Sequence, residues 1–340
     1  MTPKPTAGCD VNSVKDMKPY NSLSKYNIFF ALETASMLLT RREFTASLCG
    51  AAGLAVCHQP AVAAEDFKLR YILNSAMYGY TKVEEILPEV ARAGAEAIDI
   101  WPKVHGNQRE QIEEMGQERF VELLKEHLVR LGTVTCYKQG PFAMQDEMKF
   151  ASAVGGRGVV LVTGAKGPQN VTGEALKEAL QTFVKLLTPH AEAAAQLGCV
   201  IAIENHGNSL VNSPDSIRWF AEMARWEHVG VALAPHHLPQ DGALIGKLAE
   251  DLGPKVKFFD AQQHGLGFRE KLPLEEELLQ MPGRGKLDFQ PIVKALQKMN
   301  YQGFTEIFMH PTPRGRPILE KTADITAEIN RSRKYLNECL

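Results

Sequence analysis

Cysteine is scarce in this chain and poorly placed for chemistry. Its six cysteines, Cys9, Cys49, Cys57, Cys136, Cys199 and Cys339, include no CxxC pair. That argues against a disulfide framework, a zinc ribbon and a thioredoxin-type redox centre. An excess of one charge is also lacking. With 38 basic and 40 acidic residues the formal net charge is −2, so the chain offers no broad electrostatic footprint for nucleic acid. The first predicted strand leads into Asn74-Ser75-Ala76-Met77-Tyr78-Gly79, which is no Gly-rich phosphate loop. What the chain does have is ordinary for a globular protein: 44% hydrophobic and 23% charged residues over 340 positions, enough for a sizeable core and unlike disordered, collagenous or coiled-coil sequences.

The first 64 residues read apart from the rest. Thr40-Arg41-Arg42-Glu43-Phe44 precedes an uncharged run of small and apolar residues, Thr45 to Val56, and then Ala61-Val62-Ala63-Ala64. A twin arginine, a short apolar stretch and a small-residue cleavage pattern, in that order, form a Tat-type export signal. The apolar run is far shorter than the roughly 20 residues of a membrane span. Cleavage is expected after Ala63 or Ala64, delivery is expected to the periplasm, and the export machinery is then a partner of the precursor. Val56 is a poor residue before a lipidated cysteine, so Cys57 is not read as a lipid anchor. The stretch before Met37 exceeds what a signal needs, and Met37 itself opens a compact one. Residues 65–340 then carry a net charge of −4 and three cysteines, an odd count that argues for free thiols.

From Phe67 onward short apolar strands alternate with amphipathic helices, without a linker. Strands are expected at residues 68–74, 95–101, 133–137, 158–163, 199–204, 229–234, 256–260 and 304–308. Helical patterns lie between them, such as 83–93, 117–131, 174–197 and 289–299, the last with Asp288 as N-cap. Eight such units in about 276 residues fit a single α/β domain, a (β/α)8 TIM barrel over residues 65–340. In that fold the chemistry sits at the C-terminal ends of the strands.

Six of the ten histidines fall just past a predicted strand: His105, His206, His236, His237, His264 and His310. Asp99, Glu204, Asp260 and Glu306 lie at the same level. Imidazoles and carboxylates converging on one cleft form the composition that holds a divalent metal. Each residue also has a plainer use. Asp99, flanked by Ile98 and Ile100, fits a satisfied polar group inside the barrel. Glu204 and Glu306 end or interrupt apolar runs, where an unpaired carboxylate is costly. Of His236 and His237, which point apart if the chain is extended, one is expected to be functional. Trp101 serves either packing or a sugar-binding platform.

The runs Ile201-Ala202-Ile203-Glu204-Asn205-His206-Gly207, the strand ending near His237, Gly283-Arg284-Gly285-Lys286-Leu287-Asp288-Phe289, and Tyr301-Gln302-Gly303-Phe304-Thr305-Glu306-Ile307 resemble the sugar phosphate isomerase/epimerase group of xylose isomerase-like barrels. The resemblance covers nearly all of residues 65–340. It implies one divalent ion, Mn²⁺, Mg²⁺ or Co²⁺, held by Glu, Asp, His and Glu from strands five to eight. Carried over, the two glutamates fall on Glu204 and Glu306. The aspartate falls on Ala234, which cannot bind metal, and the histidine falls near Asp260, with His264 four residues on as an alternative. His237 matches the histidine that follows the strand-six ligand. Capture of two or more histidines would shift the preference toward Zn²⁺ or Co²⁺.

The implied reaction is isomerisation or epimerisation of a small carbohydrate through an enediolate, with Glu204 and Glu306 moving the proton. Trp101, His105, His206, His237 and Arg284 are read as substrate contacts, although a loop arginine such as Arg284 is also often simply solvated. Three other readings stay open: a non-catalytic sugar-binding barrel whose metal site is degenerate at Ala234, a keto-sugar lyase or hydrolase, and an apurinic endonuclease, against which the charge and the export signal weigh. Self-association is compatible with all of them.

Overall fold

A computed structural model describes residues 67–168, 170–265 and 270–340. The twin arginine Arg41-Arg42, Cys57 and the expected cleavage positions at Ala63 and Ala64 lie outside the described residues. Eight parallel strands close into a barrel in sequence order, the first pairing with the last. They are β1 (Arg70–Asn74), β2 (Ala97–Ile100), β3 (Arg130–Thr135), β4 (Val160–Gly164), β5 (Val200–Glu204), β6 (Val229–Leu233), β7 (Val256–Ala261) and β8 (Phe304–Ile307). The helices are α1 (Val83–Arg92), α2 (Gln108–Met115), α3 (Gln117–Glu126), α4 (Gln145–Gly155), α5 (Gly173–Leu197), α6 (Pro214–Met223), α7 (Gly242–Leu252), α8 (Leu274–Glu277), α9 (Gln290–Lys298) and α10 (Thr322–Glu338).

The period-two alternation of a strand sorts its side chains into two sets. Leu73, Ile98, Leu161, Ile201, Ile203, Val231, Leu233 and Phe259 belong to the large outer core beneath the helices. Ile72, Ala97, Val160, Val162, Ala202, Ala232, Phe258 and Phe304 form a second, inner cluster that fills the barrel. Continuing the inner set toward the C-terminal ends gives Asp99, Thr135, Glu204, Asp260 and Glu306, all buried. The barrel is therefore apolar below and polar above, and the polar layer is where the site forms.

Most boundaries shift by one or two residues, and the largest difference from the sequence reading lies around β3. The helix expected to run to Leu131 stops at Glu126, and β3 begins at Arg130. Leu128 continued the apolar periodicity on paper, yet it takes a φ of 56° and is 92% exposed. Gly132 hid the strand by interrupting its apolar run. A Cβ there would come within 2.9 Å of side-chain atoms of Ile72, Ala97 and Phe304, so a glycine lets the bulky Phe304 fill the barrel. At α9 the N-cap residue is Phe289, while the carboxylate of Asp288 accepts the Gln290 amide at 2.9 Å. The three cysteines of this region are free and buried.

Candidate active site

A cavity of about 280 Å³ opens at the C-terminal mouth. Its walls come from the ends of seven strands, β2 to β8; among them, Trp101 and His105 follow β2, Thr135 ends β3, Glu204 ends β5, Asp260 lies in β7, and Glu306 and Phe308 belong to or follow β8. His206, His237 and His310 come from the loops that follow β5, β6 and β8, as does Arg314. Trp101 and Phe308 stack at 5.0 Å between ring centroids and form an apolar wall, and Tyr137 faces Trp101 at 5.9 Å.

Hydrogen bonds fix the carboxylates from behind. The Trp101 indole N–H donates to Asp99 at 2.6 Å and the Thr135 hydroxyl donates to the same oxygen at 2.9 Å. The Tyr137 hydroxyl donates to Glu204. Burial raises every carboxyl of the group: Asp99 to about 6, Glu204 to about 7, and Asp260 and Glu306 well above the usual range. For Asp260 the neighbouring Glu204 and Asp99 charges add to burial, and for Glu306 those of Asp99 and Asp260 do. Burial pushes Tyr137 up as well.

The imidazoles form a continuous series across the mouth. Centroid separations are 4.0 Å for His206–His237, 3.8 Å for His237–His236, 6.3 Å for His236–His310 and 5.0 Å for His310–His105. Burial keeps them neutral, lowering His105 to about 4, His237 to about 3, and His236 and His310 well below the usual imidazole value. A neutral imidazole has a lone pair to offer, and His236 and His237 lie close to carboxyl oxygens of Asp260 and Glu204.

Pro235–His237 form a short 3₁₀ turn, not an extended segment. The turn brings both imidazoles to the mouth, His237 lining the cavity and His236 packed against it at 3.8 Å between ring centroids. Ligand atoms of Glu204, His236 and His237 lie within 4.8 Å of one another, the spacing of a metal-binding group. His237 Nε2 is 3.9 Å from Glu204 and His236 Nδ1 is 3.7 Å from Asp260. Both ring nitrogens of His236, and one oxygen each of Asp260 and Glu306, are buried without a hydrogen-bond partner. Buried polar atoms of this kind are rare, and a bound ion would satisfy these. Such a mixed imidazole and carboxylate set suits a divalent transition metal.

Ala234 supplies no ligand, and its backbone is held in place: the Asn205 amide donates to its carbonyl at 2.9 Å and accepts its N–H at 2.8 Å. Two sequence expectations are corrected. Arg284 does not line the cavity; its guanidinium is bidentate to Glu328 on α10, both contacts at 2.6 Å, which ties the loop before α9 to the outer helix layer. His264 is exposed and outside the cavity lining, with its amide donating to Gln240 at 2.8 Å. Its backbone follows Gln262 and Gln263, whose amide groups are committed to Gln280 and Met281, and this carries it past the mouth. Tyr137, Thr135, Phe308 and Arg314 were not singled out from sequence. Tyr137 was recoverable, being a polar aromatic at the end of a predicted strand, whereas nothing in the Pro-rich run around Arg314 points inward.

Residues 87–336 match the family described as xylose isomerase-like TIM barrel. No curated protein matches the chain. Among solved structures, the IolI protein with a bound zinc atom superposes with a TM-score of 0.62 at 14% identity, covering 80% of this chain and 99% of that one. D-allulose 3-epimerase from Methylomonas sp. gives 0.56 at 15% identity, covering 81% and 99%. The 3-keto-D-glucoside 4-epimerase YcjR from E. coli gives 0.56 at 15%, covering 80% and 100%. On the family match, and with the barrel closed in strand order, this chain belongs to the xylose isomerase-like TIM barrel family.

Proposed function

We propose that the protein is a metal-dependent isomerase or epimerase of a small carbohydrate. The observation that carries this reading is the donor group Glu204, His236 and His237, set against the partnerless oxygens of Asp260 and Glu306 in one cavity. Those residues would hold one divalent ion, which, when bound, polarises a substrate carbonyl and acidifies the adjacent C–H. The remaining work falls to the chain. Glu204, whose carboxyl burial raises to about 7 and which a bound cation would draw back toward the ionised form, is the group assigned to take the proton. The Tyr137 hydroxyl holds it in position. Glu306, on the opposite side of the barrel, returns a proton to the substrate. Return to the same carbon from the other face epimerises, and return to the neighbouring carbon isomerises. Trp101 and Phe308 offer a flat apolar wall to a sugar face, and His105 and His206 offer ring nitrogens to its hydroxyls. The sugar epimerases among the similar structures support the carbohydrate class.

The test is exchange in D₂O with a panel of free ketoses. Deuterium at the carbon beside the carbonyl, lost in Glu204→Gln, is expected. Sugar binding without exchange would replace this reading with the non-catalytic one. We further infer, from the sequence of residues 1–64, Tat-dependent export of the barrel to the periplasm. Changing Arg41 and Arg42 to Lys should hold the protein in the cytoplasm, and undiminished export would refute it.

A further inference from the structure

The opposite mouth of the barrel holds a second and different cavity. It has a volume of about 470 Å³, within the range of small-ligand pockets. Of the residues around it, Arg70, Arg130, Arg157 and Lys257 are cationic and none is a carboxylate. They arrive from separate places: Arg70 and Arg130 open β1 and β3, Arg157 precedes β4, and Lys257 is the second residue of β7. The floor is the apolar underside of the inner core. Phe304 lies there with the Arg70 and Arg130 guanidiniums 4.8 and 5.9 Å from its ring centroid, beside Val160, Val200 and Val256.

Cations at this face have a structural use, because helix C-termini converge here and leave carbonyls to be satisfied. That use accounts for some of them. Lys255 donates to the carbonyls of Trp226 at 2.8 Å and Val229 at 3.3 Å, and also to that of Ala224. Arg70 donates to the Gln302 carbonyl at 2.6 Å and, with Arg130, shares the single carboxylate Glu96. Arg157 lies against Gly198, the C-cap of α5, so this use reaches it in part, but it does not account for Lys257. Among the described residues neither has a carboxylate within ion-pair distance. Lys257 is nevertheless half-buried, with Glu227 felt only as a more distant charge. Two cations without an ion-pair partner among the described residues therefore line the same concave apolar floor as two others, which share one anion.

We propose that this N-terminal mouth binds a small organic polyanion, its carboxylate or phosphate groups taken by Arg157 and Lys257 on one side and by Arg70 and Arg130 on the other, with its carbon skeleton on Phe304. The site is independent of the chemistry at the C-terminal mouth. Planar guanidiniums pair with either anion in bidentate fashion, so the two sources share one chemistry and need separate probes.

Titration calorimetry on the full chain at constant ionic strength would use tricarballylate as the polycarboxylate, glycerol 2-phosphate as the phosphate ester and glycerol as the neutral control. Saturable one-to-one binding of at least one anion is expected, with none for glycerol, and the probe that binds identifies the anionic group. The double change Arg157→Ala with Lys257→Ala should weaken binding at least about tenfold, and Arg314→Ala at the other mouth should leave it unchanged. Arg157 is exposed, so Arg157→Gln alone provides a variant whose fold is not at risk, expected to weaken binding severalfold. Heats that fail to saturate for both anions, or affinities equal in the parent and the Arg157 variants, would overturn the proposal.

Discussion

The two mouths of this barrel are made by the same eight strands, yet they carry opposite chemistry. The C-terminal mouth gathers carboxyls and neutral imidazoles, several of whose buried oxygens and ring nitrogens have no hydrogen-bond partner. The N-terminal mouth gathers guanidiniums and an ammonium over an apolar floor. Strand polarity explains the difference. In a parallel barrel all helix N-termini lie near one rim and all C-termini near the other, so the upper rim suits acidic groups and the lower rim suits basic ones. What strand polarity does not explain is why the acidic rim buries four carboxyls so deeply that all are pushed upward, a costly arrangement unless a cation completes it.

Changes at each mouth should separate the two roles. The largest effect is expected from Glu204→Gln, which keeps the shape of the side chain and removes its proton-accepting charge. Deuterium exchange should fall by about 10²–10⁴-fold, while the thermal midpoint stays near that of the parent. Phe304→Ala, at the floor of the opposite mouth, should do the reverse. Emptying that position costs about 3–5 kcal/mol in urea unfolding, and exchange per folded molecule should persist. A smaller change is expected for Arg284→Ala. Its partner Glu328 retains Arg331 at 2.7 Å, so the loss should be about 1 kcal/mol, with KM for any sugar unchanged because Arg284 lies outside the cavity.

A further prediction concerns pH. His105 has a folded pKa of about 4 against an ordinary 6.5, because burial and then the Arg314 charge disfavour its protonated form. Between those values the unfolded chain binds a proton that the folded chain does not, so this residue makes stability rise with pH from about 4 to 6.5. His105→Gln should flatten that part of the urea-midpoint profile, and an unchanged slope would show that His105 is not held neutral.

Much of this was legible in the sequence. Parallel strands buried on both faces read as short apolar runs, and the eight runs were found in order. Their upper ends could be located because Glu204, Asp260 and Glu306 stand out against those runs. The third strand was misplaced because Gly132 owes its identity to Phe304, a contact between residues far apart in sequence. The local path at His236 and His237 was not legible, because a 3₁₀ turn replaces the extended chain that the strand pattern implies. Arg284 was drawn in by its flanking glycines, while its bidentate partner on α10 lies 44 residues away. Arg314 went unnoticed for the complementary reason: only the path of the loop after β8 brings it to the cavity.

The central claim is that the C-terminal mouth is completed by a divalent ion on Glu204, His236 and His237. Elemental analysis of the purified protein after dialysis against Mn²⁺, Co²⁺ or Zn²⁺ and removal of excess metal tests it most directly, with Glu204→Gln and the double change His236→Ala, His237→Ala measured beside the parent. The account predicts close to one equivalent of one metal in the parent and a clear loss in both variants, with their circular dichroism unchanged. A parent that retains no metal, or variants that retain as much as the parent, would contradict it.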